Sequence, residues 1–140
     1  MRVVLDTNIL LSGLMSPAGP PGRLLDAWAE ERFTLVSSEE QLREFRRASR
    51  YAHVAKYLTQ SEAGALVNSV RILALMVERL PAVHLSPDPH DDFLLAMAQA
   101  GQAHYLVSGD KSGLLALGKV GNTKIVTAAT FCRKYQLAGF

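Results

Sequence analysis

Two uninterrupted apolar triplets, each followed at once by polar residues, most constrain what this chain can become. They are Val3-Val4-Leu5 before Asp6-Thr7-Asn8, and Tyr105-Leu106-Val107 before Ser108-Gly109-Asp110. A run with no polar alternation suits a strand buried on both faces, as in a parallel sheet covered by helices. Segments 33–36 and 124–127 read as further strands, and 81–85 as a short extended piece. The stretch 16–22, Ser-Pro-Ala-Gly-Pro-Pro-Gly, is a breaker-rich loop.

Helices are predicted over 22–31, 38–50, 53–58, 93–100, 111–117 and 128–135. A longer one, opened by Ser61 and Gly64, continues through Leu66, Val70, Leu73 and Val77. Ser38 precedes Gln41 in capping-box order, and Gly101 stands just past a helix end. Trp28, near leucines, reads as core or interface. Strands alternating with helices point to an α/β chain with a mostly parallel sheet covered on both faces. At 140 residues, 49% of them apolar and 20% charged, the chain fits one domain over 1–140 with a substantial core.

The 15 basic and 13 acidic residues nearly cancel, but they are sorted along the chain. Arg43, Arg46, Arg47, Arg50 and Lys56 surround a single acid, Glu44, with Tyr51, His53 and Tyr57 interleaved. That pattern suits a phosphate backbone with unpaired bases, and equally a solvated helical face. Cys132 is the only cysteine, which excludes an internal disulfide framework and suits a reducing compartment. No run approaches the roughly 18 apolar residues of a membrane span, and Asp6 falls where a signal peptide would be apolar. The expectation is a soluble, cytoplasmic protein.

Asp6 follows the first strand and Asp110 the strand at 104–108, so both belong to the carboxyl rim of a parallel sheet, where ligands bind. Asp92 begins a helix that leads back from that rim, with Asp91 and Asp88 beside it. Glu44 lies about two turns into its helix, and Glu40 one turn earlier is its rival. Taken singly, each acid also fits a turn or a helix N-terminus. Together in one crevice they would repel, and a hard divalent cation such as Mg2+ or Mn2+ would relieve that repulsion. With His90 the only histidine nearby and no cysteine, a structural zinc site is disfavoured. No glycine-rich dinucleotide or P-loop fingerprint is present. An aspartyl-nucleophile phosphatase at Asp6 would want an acid where Asn8 stands.

Four segments carry a resemblance to a known family: 3–10 (Val-Val-Leu-Asp-Thr-Asn-Ile-Leu), 36–45, 86–98 and 105–111. In order and spacing they resemble the PIN domains, and among these the short prokaryotic proteins related to VapC-type toxins of toxin–antitoxin pairs. The resemblance implies a single-domain, Rossmann-like three-layer sandwich and metal-dependent cleavage of RNA. It implies Asp6, Glu44, Asp92 and Asp110 as catalytic acids that hold Mg2+ or Mn2+, with Asp91 sharing or replacing the third. It further implies Asn8 and Ser108 as orienting residues, a homodimer, and an antitoxin partner. Relatives often carry one more acid where this chain has Ser112. Arg43, Arg46, Arg47, Arg50, Lys56 and Lys111 are the expected contacts to RNA. The alternatives are a non-catalytic RNA-binding or protein-interaction domain and a small-substrate phosphatase.

Overall fold

The structure, a computed structural model, describes residues 1–135. Its elements are β1 (Arg2–Leu5), α1 (Thr7–Met15), α2 (Pro20–Ala29), β2 (Thr34–Ser37), α3 (Glu39–Ser49), α4 (Ala52–Ala55) and α5 (Gln60–Leu73). There follow β3 (Leu75–Met76), a 3-10 turn (Pro89–Asp91), α6 (Asp92–Ala100), β4 (Tyr105–Val107), α7 (Leu114–Leu117), β5 (Lys119–Val120), β6 (Thr123–Val126) and α8 (Ala128–Lys134).

The strand order is β3-β2-β1-β4-β6-β5, parallel except for β5, which pairs antiparallel with β6. The apolar triplets make the sheet a two-sided core. Val3, Leu5, Leu35, Tyr105 and Val107 face the layer that includes α1, α2, α3, α5 and α8. Val4, Val36, Leu106 and Ile125 face α6 and α7. This is the expected α/β sandwich with a central, mostly parallel sheet. The chain works outward from β1 to β3, then returns to pair β4 with the other side of β1. The order therefore reverses between β1 and β4, the point beyond whose carboxyl ends open parallel sheets generally bind ligands.

Several elements differ from their sequence reading. Helix α1 had no predicted counterpart: Ile9, Leu10 and Leu11 leave it apolar nearly all round, so no amphipathic stripe marks it. Thr7, Ile9, Leu10 and Leu11 are buried, and the contact with α2 is close enough that a Cβ on Gly13 would sit 2.5 Å from Leu25. Helix α2 begins at Pro20, inside the breaker-rich loop, because proline at the first helical positions needs no amide hydrogen. Helix α5 is capped by Thr59 and Glu62 in a reciprocal capping box, ahead of the predicted Ser61. It stops at Leu73, and Leu75–Met76 extend to pair with β2, so the apolar spacing to Val77 is not one helix. Segment 81–85 joins no strand, and β5 is an unpredicted addition closed onto β6 through Gly121, whose φ is +57°.

Ser38 accepts the Gln41 amide at 3.2 Å, as the capping order requires, but the Gln41 side chain does not complete the box. It turns inward, donating to the Leu5 carbonyl at 2.6 Å and accepting from the Ser37 hydroxyl at 2.6 Å. A fully buried amide thus ties the ends of β1 and β2 to α3, directly behind the crevice. The Gly101 end of α6 rests on β2, where an added Cβ would stand 2.6 Å from Val36 Cγ1. Gly64 in α5 has open space around it.

Gly101→Ala should therefore destabilise the fold by about 1–3 kcal/mol through overpacking. Gly64→Ala should stabilise it by up to about 1 kcal/mol through helix propensity. Urea unfolding midpoints of the two variants check this pair of opposite signs.

Candidate active site

Asp6 directly follows β1 and is the N-cap of α1, and it is only 6% exposed. Its amide donates to the Val107 carbonyl at 2.9 Å, which continues the β1–β4 pairing one residue beyond the strand. The carboxylate is held from both sides. Oδ1 accepts the Asn8 amide at 3.2 Å, and Oδ2 accepts the Ser108 hydroxyl at 2.8 Å. Ser108 is itself fixed by its amide on the Val126 carbonyl, at 3.0 Å. Its hydroxyl oxygen also accepts the Asp110 amide at 3.1 Å, so one hydroxyl sets the positions of two acids. Asp110 in turn accepts the Gly113 amide at 3.1 Å. A Cβ on Gly113 would lie 2.0 Å from Asp110 Oδ2, so that carboxylate occupies space that only glycine leaves free.

Asp91 and Asp92 are adjacent, and the 3-10 turn sends them to different places. Asp92 accepts the amides of Leu85 and Ser86, at 3.1 and 2.8 Å, and so pins the segment before the turn. Asp91 leans toward Asp6 and Asp110, close enough to Asp110 to share a proton. Of the two candidates for the third acid, Asp91 faces the crevice and Asp92 is engaged in holding its own loop. Asp88, also turned outward, accepts the His90 amide at 3.0 Å.

Glu44 is half-buried and senses the Asp6 charge, which places it at the flank of the crevice. Its rival Glu40 pairs instead with Arg43 at 3.6 Å. Thr7, which sequence reasoning passed over, is buried beside Glu44, and its hydroxyl has no hydrogen-bond partner. Its position just after the strand-ending Asp6 was the available signal. Asn8 contributes through its backbone amide, while its side chain is exposed. Lys111 is exposed next to Asp110, and Ser112 follows it where another acid was expected. Arg43, Arg47, Arg50 and Lys56 are exposed and Arg46 half-buried, along α3 and α4.

The electrostatics follow from this crowding. Burial pushes the Asp6 carboxyl up, against the pull of the Ser108 and Asn8 hydrogen bonds and with the Asp110 charge adding to the rise. Burial and the Asp6 charge likewise raise Glu44. Asp91 is raised to about 7 by partial burial, then by the Asp6 charge and by the proton shared with Asp110. The donor set is therefore all oxygen, mutually repelling and partly desolvated, which is the chemistry that suits a hard divalent cation. Among the described residues no three Asp, Glu, His or Cys groups already surround one point, so the set is not closed as it stands. A cleft of about 590 Å³ at the opposite, amino edge of the sheet, lined by Arg2, Leu95, Gln99, His104 and Asn122 among others, contains no carboxylate.

A carboxyl whose folded pKa is raised binds its proton more tightly in the native state, so native stability falls as pH rises through the gap. For Asp91 that gap runs from the ordinary carboxylate range near 4 to about 7. Without divalent cations, urea midpoints should fall between those two pH values and level off above them. Asp91→Asn should flatten this decline, and an unchanged pH dependence in that variant would contradict the assignment.

Residues 2–112 match the PIN domain family, a stretch that includes all the acids discussed above and ends before α7. An uncharacterised protein of Methanocaldococcus jannaschii, MJ1680, is 25% identical over 112 residues, covering 79% of this chain and 72% of that one. No solved structure matches significantly. Among the described residues, no helix is long and apolar enough to cross a membrane. The chain belongs to the PIN domain family, which includes nucleases.

Proposed function

We propose that this protein is an endonuclease that uses Mg2+ or Mn2+ to hydrolyse RNA phosphodiester bonds. The observation that carries the reading is the electrostatic coupling of Asp6, Asp91 and Asp110, three acids from distant segments, beside the reversal of strand order. Asp6, Asp91 and Asp110 are the residues that would hold the cation, with Glu44 at its flank. Held there, a divalent ion would supply acidification of a bound water and neutralisation of phosphate charge.

The chain's own groups then have separable tasks. Ser108 holds Asp6 and, through the Asp110 amide, sets the spacing of the two acids. Asp91, protonated near neutral pH in the free cluster, would give up that proton on holding the cation. Glu44 supplies a second carboxylate on the α3 side, next to the buried Thr7. Lys111 and the arginines of α3 balance the phosphate charge that the acids would otherwise repel.

Asp92 is assigned a supporting task, because its carboxylate is already committed to two backbone amides. The resemblance to VapC-type toxins extends the proposal to a homodimer and to control by an antitoxin. The exposed Ile72, Leu73 and Leu75 beside edge strand β3 are the apolar surface that supports self-association. A second reading, a non-catalytic RNA-binding domain, is favoured by one observation: the described acids are not drawn into a closed three-donor set.

Manganese-dependent cleavage of mixed RNAs separates the two readings. Wild type should cleave and stop in excess EDTA. Asp6→Asn and Asp91→Asn should each lose about 100-fold or more in rate while staying folded. Asp92→Asn should instead lower the melting temperature, with at most about a tenfold loss of rate. Cleavage that continues unchanged in EDTA, or in Asp6→Asn, would falsify the nuclease reading.

A further inference from the structure

The end of α3 carries a feature that the acids do not use. Tyr51 and His53 stack on each other, with ring centroids 6.1 Å apart and planes 26° from parallel. Both are exposed, Tyr51 at 50%. Aromatic pairs of this kind bury apolar area when they belong to a core. Here the rings stay in water, and among the described residues neither polar tip makes a hydrogen bond. Packing therefore does not account for the pair.

Its position relative to the acids is set by helix geometry. Glu44, Arg47, Ala48 and Tyr51 are spaced i, i+3, i+4 and i+7, so they share one side of α3 and its immediate exit. Arg47 is near enough to Glu44 to pull its carboxyl pKa down against burial. Seven residues at 1.5 Å each put Tyr51 about 10 Å beyond Glu44 along the axis. That is roughly three base steps of a stacked strand. Between and around them stand cations without partners: among the described residues, Arg46, Arg47, Arg50 and Lys56 have no carboxylate within 4.0 Å, whereas Arg43 and Arg71 do. A cationic groove with an aromatic face is how proteins hold unpaired nucleotides, because every base offers a flat surface to a ring.

We propose that Tyr51 and His53 form a stacking platform for an unpaired base of single-stranded RNA, with Arg47, Arg50 and Lys56 on the neighbouring phosphates. The platform would hold a strand whose scissile phosphate lies at the Asp6 crevice, so it rests on the nuclease reading for its purpose though not for its existence. A base inside a duplex has both faces covered and cannot use it. The site thereby favours single-stranded segments over helical ones.

Binding without turnover tests this. In EDTA, fluorescence anisotropy follows a labelled oligoribonucleotide as a single strand and annealed to its complement. Tyr51→Ala and His53→Ala should each weaken single-strand binding roughly 5- to 100-fold. Duplex affinity should hardly move, and Tyr51→Trp should retain single-strand binding. Unchanged single-strand affinity in both alanine variants would overturn the platform, as would equal losses for single strand and duplex. A parallel manganese cleavage assay keeps the two ideas apart. Ring-dependent binding without cleavage supports the platform and defeats the nuclease, and cleavage with ring-independent binding does the reverse.

Discussion

Asp6 sits at the end of the central strand, almost out of water, with one donor on each oxygen and other acids around it. Most of the surrounding architecture can be understood as what makes that placement tolerable. Parallel pairing of β1 with β4 brings Ser108 alongside, and the Ser108 hydroxyl then links Asp6 to Asp110. Burial of Gln41 against the Leu5 carbonyl fixes the strand end from behind. Two hydrogen bonds do not fully offset the burial of a charge, which is why the carboxyl remains raised. The cluster is thus a reservoir of repulsion that a cation would relieve, and the native fold is what keeps its members from separating.

The parts of this arrangement that could be read from sequence are those written in local periodicity. The apolar triplets of β1 and β4, the run before Ser37 and the helix ending at Gly101 appear where the residues place them. What was not legible depends on neighbours distant in sequence. Helix α1 is apolar on more than one side because α2 and the sheet both cover it. Met76 extends only because β2 offers an open edge, and nothing in the continuing spacing of Leu73 and Val77 announces it.

The site shows the same division. That Asp6 and Asp110 share a rim follows from their positions after strands. The choice between Asp91 and Asp92 does not, since the two are chemically identical neighbours. What separates them is tertiary: Asp92 accepts the amides of Leu85 and Ser86, ahead of the 3-10 turn, while Asp91 senses the charges of Asp6 and Asp110. Glu44 and Glu40 likewise differ by their neighbours: Glu44 senses the Asp6 charge, and Glu40 lies 3.6 Å from Arg43. Charge sorting along α3 was visible from the start, but its alignment with Glu44 needed the helix's actual end at Ser49 and the turn that carries Tyr51 and His53.

The central claim is that Asp6, Asp91 and Asp110 form one electrostatic unit whose proton a divalent cation displaces. Titration calorimetry of Mn2+ into the protein near pH 6.5, in two buffers of different ionisation enthalpy, measures that displacement directly. The account predicts saturable binding with release of a substantial fraction of one proton, and loss of that release in Asp91→Asn. Binding whose apparent heat is the same in both buffers, or no binding at all, would contradict it.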